Sequence, residues 1–150
     1  MYNPEHPLKR LSEYESAAAP KALMSASALF LAAATFVVSM PLAWHHRFIP
    51  GDGYTVVHGY QGASWLNVVA AVAVIFAVRL IRVPPGMYTK WLLTIAAFAT
   101  FIGMAADYFD TLSRAAQVFA DAYFGPGFWV SLGGTGLVIA ATVVTWRTPS

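Results

Sequence analysis

The chain has 150 residues, of which 58% are hydrophobic and 11% are charged. That length fits one domain, and the composition is too apolar for an ordinary soluble core, so we expect an integral membrane protein. The formal net charge of +2 comes from scattered basic residues and indicates no nucleic-acid partner, while the absence of cysteine excludes disulfides, thiolate metal sites and CxxC redox chemistry.

The N-terminal part of the sequence divides into a polar segment and a long apolar run. Residues 1–21 hold prolines among polar and charged side chains, which predicts a short cytoplasmic segment without a domain of its own. Residues 22–44 contain no charge, run longer than the apolar region of a secretory signal, and lack a convincing cleavage motif. We therefore predict that residues 22–44 form a retained transmembrane helix.

Further apolar runs follow at residues 64–82, 90–107 and 127–146. Each is close to the roughly 20 residues that a helix needs to cross a hydrocarbon core about 30 Å thick. Between the second and third runs, Pro84, Pro85 and Gly86 predict a tight turn, because proline and glycine stop helices. The predicted fold class is an all-α integral membrane protein, a single domain over residues 1–150 built as an antiparallel bundle of four transmembrane helices.

The distribution of the nine Lys and Arg residues gives this bundle a direction. Seven of them lie in the N-terminal segment, around the predicted turn at residues 84–86, or in the C-terminal tail. Only Arg47 and Arg114 lie in the other two loops. By the positive-inside rule both termini are expected in the cytoplasm, with aromatic residues such as Trp44 and Trp129 at the outer edge and Trp146 at the inner one. We expect a multi-pass protein of the plasma membrane, in a layout similar to that of many small bacterial four-span proteins.

The two predicted outer loops, residues 45–63 and 108–126, differ in pattern. In the first, β-prone residues flank a Pro-Gly-Asp-Gly sequence at residues 50–53, which is typical of a short β-hairpin. In the second, apolar residues recur at helical spacing, and Asp110 and Arg114 are placed to pair across one turn. This pattern predicts an amphipathic helix that lies at the membrane interface or extends the third span.

Stripes of small residues mark two of the predicted helices, and such stripes let membrane helices approach closely. The first and fourth spans carry them at heptad-like and four-residue spacing: Ser25, Ala28, Ala32, Thr35 and Ser39, and Gly127, Ser131 and Thr135. Gly133, Gly134 and Gly136 add a second close-packing patch to the fourth span. These faces either hold the bundle together or form docking surfaces for a larger membrane partner, and both explanations fit the sequence.

Polar residues of the first outer loop are candidates for a metal site. His45 and His46 follow the first span, His58 precedes the second, and Asp52 lies between them. Imidazole nitrogens in this arrangement suit zinc or copper, and His45 or His46 with His58 is also a candidate pair of haem ligands at the outer edge. The spacing matches no recognised metal motif, so the alternative is that these histidines bond to the backbone or to water.

Ionisable residues inside a membrane usually serve transport, and the four predicted cores hold none. This disfavours a proton-coupled exporter. Asp107, at the outer end of the third span, is the one carboxylate near enough to the membrane to be kept as a candidate. No predicted span has a histidine in its core, which disfavours an intramembrane haem.

Familiar catalytic signatures such as the P-loop, GxSxG and HExxH are absent, so we expect neither enzyme activity nor a resident cofactor. The leading hypothesis is a non-catalytic accessory or structural subunit that docks on a larger membrane complex, such as a lipid transporter or a respiratory assembly. One alternative is an outer-surface metal or haem protein. Another is a lipid or quinone binder of the outer leaflet with an aromatic cleft. That cleft would be lined by Phe98, Phe101, Tyr108, Phe109, Phe128 and Trp129.

Overall fold

A computed structural model describes residues 5–49, 51, 53–117 and 123–148 of the chain. Its elements in chain order are α1 (Glu5–Ser39), β1 (Ala43–Ile49), β2 (Gly53–His58), the one-turn α2 (Gly59–Gly62), α3 (Trp65–Arg82), α4 (Met87–Gln117), β3 (Tyr123–Phe124) and α5 (Pro126–Trp146). Within the described residues, four helices are long and apolar enough to cross a membrane, namely α1 from Ala19 onward, α3, α4 and α5. The prediction of four such helices is confirmed.

Helix α1 differs from its prediction at both ends. It begins at Glu5 and continues through Pro20, so that most of the predicted N-terminal segment, residues 1–21, belongs to the same helix as the first span. Proline removes only one backbone hydrogen bond, and the surrounding alanines favour helix, so a single interior proline did not end it. The helix stops at Ser39 rather than near residue 44. Pro41 disfavours helical geometry at Met40, whose N–H bonds to the Val37 carbonyl in a tightened last turn.

Helix α1 packs between α3 and α5. Helix α4 packs against α5 and more lightly against α3. Contacts between α1 and α5 run in opposite order along the two helices, since Ser25 reaches Ala141 and Ser39 reaches Ser131. These neighbours are therefore antiparallel. The core is rich in alanine, and on α3 the buried residues recur every three or four positions, as one helix face requires: Leu66, Ala70, Ala73, Ala77 and Leu80.

A small sheet closes the end of the bundle where α1 ends and α3 begins. Strands β1 and β2 form an antiparallel hairpin that pairs His45 with Val57 and Phe48 with Tyr54. Gly51, in the connection, has φ of +99°, a conformation that favours glycine. The predicted hairpin is confirmed, although β1 begins at Ala43, earlier than expected.

The third strand was not predicted. Two residues, Tyr123 and Phe124, pair with His46 and His45, which makes the sheet order β2-β1-β3. The description as an all-α protein is therefore corrected to a mostly helical fold with a small three-stranded sheet. The strand brings the loop before α5 onto the hairpin and fixes both to the same end of the bundle.

Helix α4 continues past the predicted end of the third span at residue 107 and reaches Gln117 without a break. Of the two predictions for the second outer loop, the extension of the third span is the one observed, while residues 118–122 lie outside the described part of the chain. At 1.5 Å per residue a helix of 31 residues is about 46 Å long, well beyond a hydrocarbon core of about 30 Å. The predicted turn before α4 is confirmed, since residues 83–86 separate α3 from α4.

Candidate functional site

The small-residue stripes predicted from the sequence face each other inside the bundle. Ser25, Ala32, Ser39, Gly127, Ser131 and Thr135 are buried, and Ala28 and Thr35 are partly buried. The Ser131 hydroxyl donates to that of Ser39 at 2.7 Å, and the Ser25 hydroxyl donates to the Ala141 carbonyl at 3.2 Å. The stripes thus serve the contact between α1 and α5. Their use as docking surfaces for another protein stays a prediction.

The junction between the bundle and the sheet is built around Trp44. Its side chain is 2% exposed, its indole N–H donates to the Ser39 carbonyl at 3.0 Å, and its ring meets Phe128 edge-on. Gly59 and Gly127 both lie against Cδ1 and Nε1 of the ring. The sequence placed Trp44 at the outer edge of the membrane. In the structure, the irregular register between Ala43 and His45 turns its side chain into the bundle.

The face of α5 opposite its contact with α1 points away from the other helices. It carries two glycines, and no described neighbour lies close enough to require a residue without a side chain there. A Cβ built on Gly134 would meet Thr35 and Phe36, whereas one built on Gly133 or Gly136 would meet no atom of the described residues within 4 Å. Both glycines are exposed, as is Ala140 one turn further on. We call Gly133, Gly136 and Ala140 the α5 glycine face. The sequence grouped Gly133, Gly134 and Gly136 together; the structure assigns only Gly134 to the interior.

The loop histidines are not brought together. His45 is 3% exposed and its strand neighbour His46 is half-buried, on opposite sides of β1 because side chains alternate along a strand. The His58 ring donates through Nδ1 to the Pro41 carbonyl at 3.0 Å and stacks on Tyr60. Asp52 lies outside the described residues. Within the described part of the chain, no group of three or more His, Asp or Glu side chains is placed to hold a metal ion.

Asp107 lies where α4 passes the sheet, with one carboxylate oxygen buried. One turn later, the Thr111 hydroxyl is also buried and has no hydrogen-bond partner among the described residues, whereas Thr94 and Thr100 donate to their own helix. Asp110, on the exposed side, forms the predicted ion pair with Arg114 at 2.7 Å. The half-buried Asp107 thus lies next to Tyr108, which stacks on Phe124 of β3.

Four of the aromatic residues proposed for a lipid or quinone cleft form a connected group of rings, namely Tyr108, Phe109, Phe128 and Trp129. Phe98, Phe101 and Phe109 are exposed on α4, while Phe128 is buried and packs at a tilt against Phe124, with ring centres 4.6 Å apart. An open apolar groove of about 590 Å³ lies elsewhere, between α1 and α3. Its lining includes Phe30, Ala33, Val37, Asn67, Ala71 and Val74.

The end of the bundle opposite the sheet contains a buried cation that the sequence did not single out. Lys90 is 5% exposed, and its ammonium donates to the Thr148 carbonyl at 2.7 Å and lies 6.0 Å from the centre of the Trp146 ring. The carbonyls at a helix C-terminus carry negative partial charge, so this lysine stabilises the end of α5. Its burial depends on how α4 and α5 pack, and the local sequence carries no signal for it.

Comparison with protein-family models, with curated proteins and with solved structures finds no match to this chain.

Proposed function

We propose that this protein is a multi-pass protein of the plasma membrane and acts as a non-catalytic accessory subunit. It docks through the α5 glycine face against a transmembrane helix of a larger membrane complex, of which a lipid transporter or a respiratory assembly is an example. The observation that carries this proposal is the open space beside Gly133 and Gly136.

Glycine inside a helix is about 1 kcal/mol less favourable than alanine, so a helical glycine usually has a local reason. Gly127 and Gly134 have one, since Trp44, Thr35 and Phe36 occupy the space beside them. Gly133 and Gly136 have none within the described chain. In a bilayer, where apolar side chains gain little by leaving lipid, close backbone approach drives helices together. A partner helix packed closely against Gly133 and Gly136 would explain why both positions are glycine.

The neighbouring side chains support a helix as the occupant. Positions 133, 136 and 140 lie on one face, because they are separated by three and four residues. Leu132, Ile139 and Val143 beside them are exposed and apolar. A shallow strip of small residues between larger apolar ones fits the ridge of another helix.

The sheet offers a second contact outside the membrane. Phe48 and Tyr54 are exposed on the hairpin and pack edge-on against each other with ring centres 5.4 Å apart. Exposed aromatic residues are enriched in protein interfaces. The sheet and α5 are fixed together through Trp44, so a partner that binds the helix also meets the sheet.

In our proposal both termini face the cytoplasm and the sheet lies outside. The support is the charge distribution of the sequence, seven Lys and Arg against two. It is consistent with the contact of Lys21 with the Arg147 carbonyl, which brings the start of the first span and the end of the last to the same end of the bundle.

Co-purification with a matched pair of variants tests the docking role. Tagged chain at native expression level is extracted in mild detergent, and its partners are measured by quantitative mass spectrometry. We expect a stoichiometric membrane protein that is lost in Gly136→Leu and kept in Ala99→Leu, which adds the same bulk to an exposed position of α4. An isolated, monodisperse wild-type chain, or equal retention of the partner in both variants, would contradict the proposal.

A second candidate function is lipid binding in the groove between α1 and α3, because this groove is almost wholly apolar. In this alternative an acyl chain fills the groove. Native mass spectrometry of Ala71→Leu, which narrows the groove, should then show less retained lipid than Ala99→Leu. Equal retention would remove this candidate.

A further inference from the structure

Cationic side chains from α1, α3, α4 and the residue after α5 lie at the end of the bundle opposite the sheet. Lys21 reaches the Arg147 carbonyl at 3.4 Å, and Arg79 donates through Nε to the Thr89 hydroxyl at 3.2 Å, next to buried Lys90. These contacts join α1 to the end of α5 and the end of α3 to the start of α4. We call the set the basic collar: Lys21, Arg79, Arg82, Lys90 and Arg147.

The collar holds positive charge that the described residues do not neutralise. The side chains of Arg82 and Arg147 are exposed, and neither guanidinium has a hydrogen bond or ion pair with the described residues. Asp107 and Asp110, the acidic residues for which the structure describes side chains, lie at the sheet end of α4. Arg82 also precedes the N-terminus of α4, whose partial charge has the same sign.

Aromatic residues indicate the depth of the collar in a bilayer. The Trp146 indole donates to the Thr94 hydroxyl at 2.8 Å and meets the Trp91 ring edge-on. Tyr88, at the start of α4, is exposed. Tryptophan and tyrosine concentrate at the level of lipid headgroups. Because Trp146 immediately precedes Arg147, the guanidinium of Arg147 lies at that level.

We propose that the basic collar is a binding site for the headgroups of anionic phospholipids, with Arg82 and Arg147 as the phosphate contacts. A guanidinium donates two parallel hydrogen bonds to a phosphate, a geometry that an ammonium lacks. A zwitterionic headgroup also has a phosphate, but its own cation offsets the attraction. The collar should therefore prefer phosphatidylglycerol to phosphatidylcholine. This inference requires that the helices cross a bilayer, and it does not depend on the accessory role.

Competition between two lipids tests the site. The full chain is loaded with equal amounts of phosphatidylglycerol and phosphatidylcholine of identical acyl chains, and retained lipids are counted by native mass spectrometry. We expect wild type to retain mainly phosphatidylglycerol. An exposed cation near a membrane surface contributes enough for about a fivefold change in occupancy, so each Arg→Gln change should lower the preference by about that factor. Equal retention of both lipids by wild type would overturn the proposal.

Matched variants distinguish lipid binding at the basic collar from nonspecific attraction to any positive charge on the protein. Arg114→Gln removes a cation at the sheet end and should leave the preference unchanged. Arg82→Lys with Arg147→Lys keeps the charge but loses the paired hydrogen bonds, so it should lower the preference by less than Arg82→Gln with Arg147→Gln does. An unchanged preference in Arg82→Gln with Arg147→Gln, with circular dichroism and thermal unfolding like wild type, would contradict the assignment. Millimolar inorganic phosphate should not displace the lipid; displacement would mean a site for free phosphate instead. A failed partner co-purification would not alter these ratios.

Discussion

The Trp44 indole lies directly against the bare Cα of Gly127, so that a Cβ at position 127 would come 2.6 Å from Cδ1 of the ring. The last turn of α1 meets the first turn of α5 at this contact, and the sheet is held beside it through β1. The end of the bundle is therefore closed by one large side chain that requires a glycine opposite. The fold therefore requires a glycine at position 127, whereas it does not require one at position 133, which faces open space.

Substituting these two kinds of glycine should have opposite effects on stability. Gly127→Ala forces Trp44 or the helix to move, and overpacking of this kind costs about 1–3 kcal/mol. Gly133→Ala adds a methyl group in open space and should be neutral or stabilising by up to about 1 kcal/mol. Thermal unfolding in detergent measures both. Equal melting temperatures for the two variants would show that Trp44 does not pack against Gly127 as described.

The hydroxyl pair of Ser39 and Ser131 should contribute measurably to the contact between α1 and α5. Hydrogen bonds between membrane helices average about 0.6 kcal/mol in double-mutant cycles and reach about 1.7 kcal/mol. We expect a coupling in that range between Ser39→Ala and Ser131→Ala. Thr142→Ala is the control, because the Thr142 hydroxyl donates to Val138 of its own helix. A coupling with Ser39 as large for Thr142 as for Ser131 would contradict the assignment.

Removing the buried ammonium at the other end should also destabilise the fold. Lys90→Met loses the hydrogen bond to the Thr148 carbonyl, and hydrogen bonds to charged groups contribute about 1.5–3 kcal/mol. Lys21→Met removes an exposed lysine with a longer contact, so its effect should stay within about 0.5 kcal/mol. Denaturation curves of the two variants measure both losses in the free energy of unfolding. A larger effect for Lys21 would place the structural cation on α1.

The proposed orientation predicts a simple labelling pattern, because the chain has no cysteine. A membrane-impermeant maleimide should label Ser113→Cys, at the sheet end of α4, in intact cells. It should label Tyr88→Cys, at the start of the same helix, only after permeabilisation. The reverse pattern would invert the orientation, and labelling of both in intact cells would argue against a membrane-crossing α4.

The sequence was a good guide to elements that depend on local signals. Apolar runs of about 20 residues indicate spanning helices wherever they occur. The Pro-Gly-Asp-Gly turn and the flanking β-prone residues likewise predicted the hairpin, and Pro84 and Pro85 predicted the turn before α4. Each of these signals acts through backbone geometry or hydropathy, which do not require knowledge of a neighbour.

Features that depend on neighbours could not be predicted. A stripe of small residues looks the same whether it faces another helix of the chain or a separate protein, so the burial of Ser39 and Ser131 and the exposure of Gly136 followed only from the packing. Strand β3 has two residues and owes its pairing to the hairpin beside it. The burial of Lys90 requires the C-terminus of α5 to lie above it, which no local pattern encodes.

Photo-crosslinking from the membrane-embedded surface tests the docking claim most directly. A photoreactive leucine analogue is placed at position 132, beside Gly133, or at position 95, on the exposed face of α4. The account predicts one discrete adduct with a different membrane protein from position 132, its loss in Gly136→Leu, and only lipid adducts from position 95. Lipid adducts alone from both positions, or an adduct of twice the mass of the chain, would contradict it.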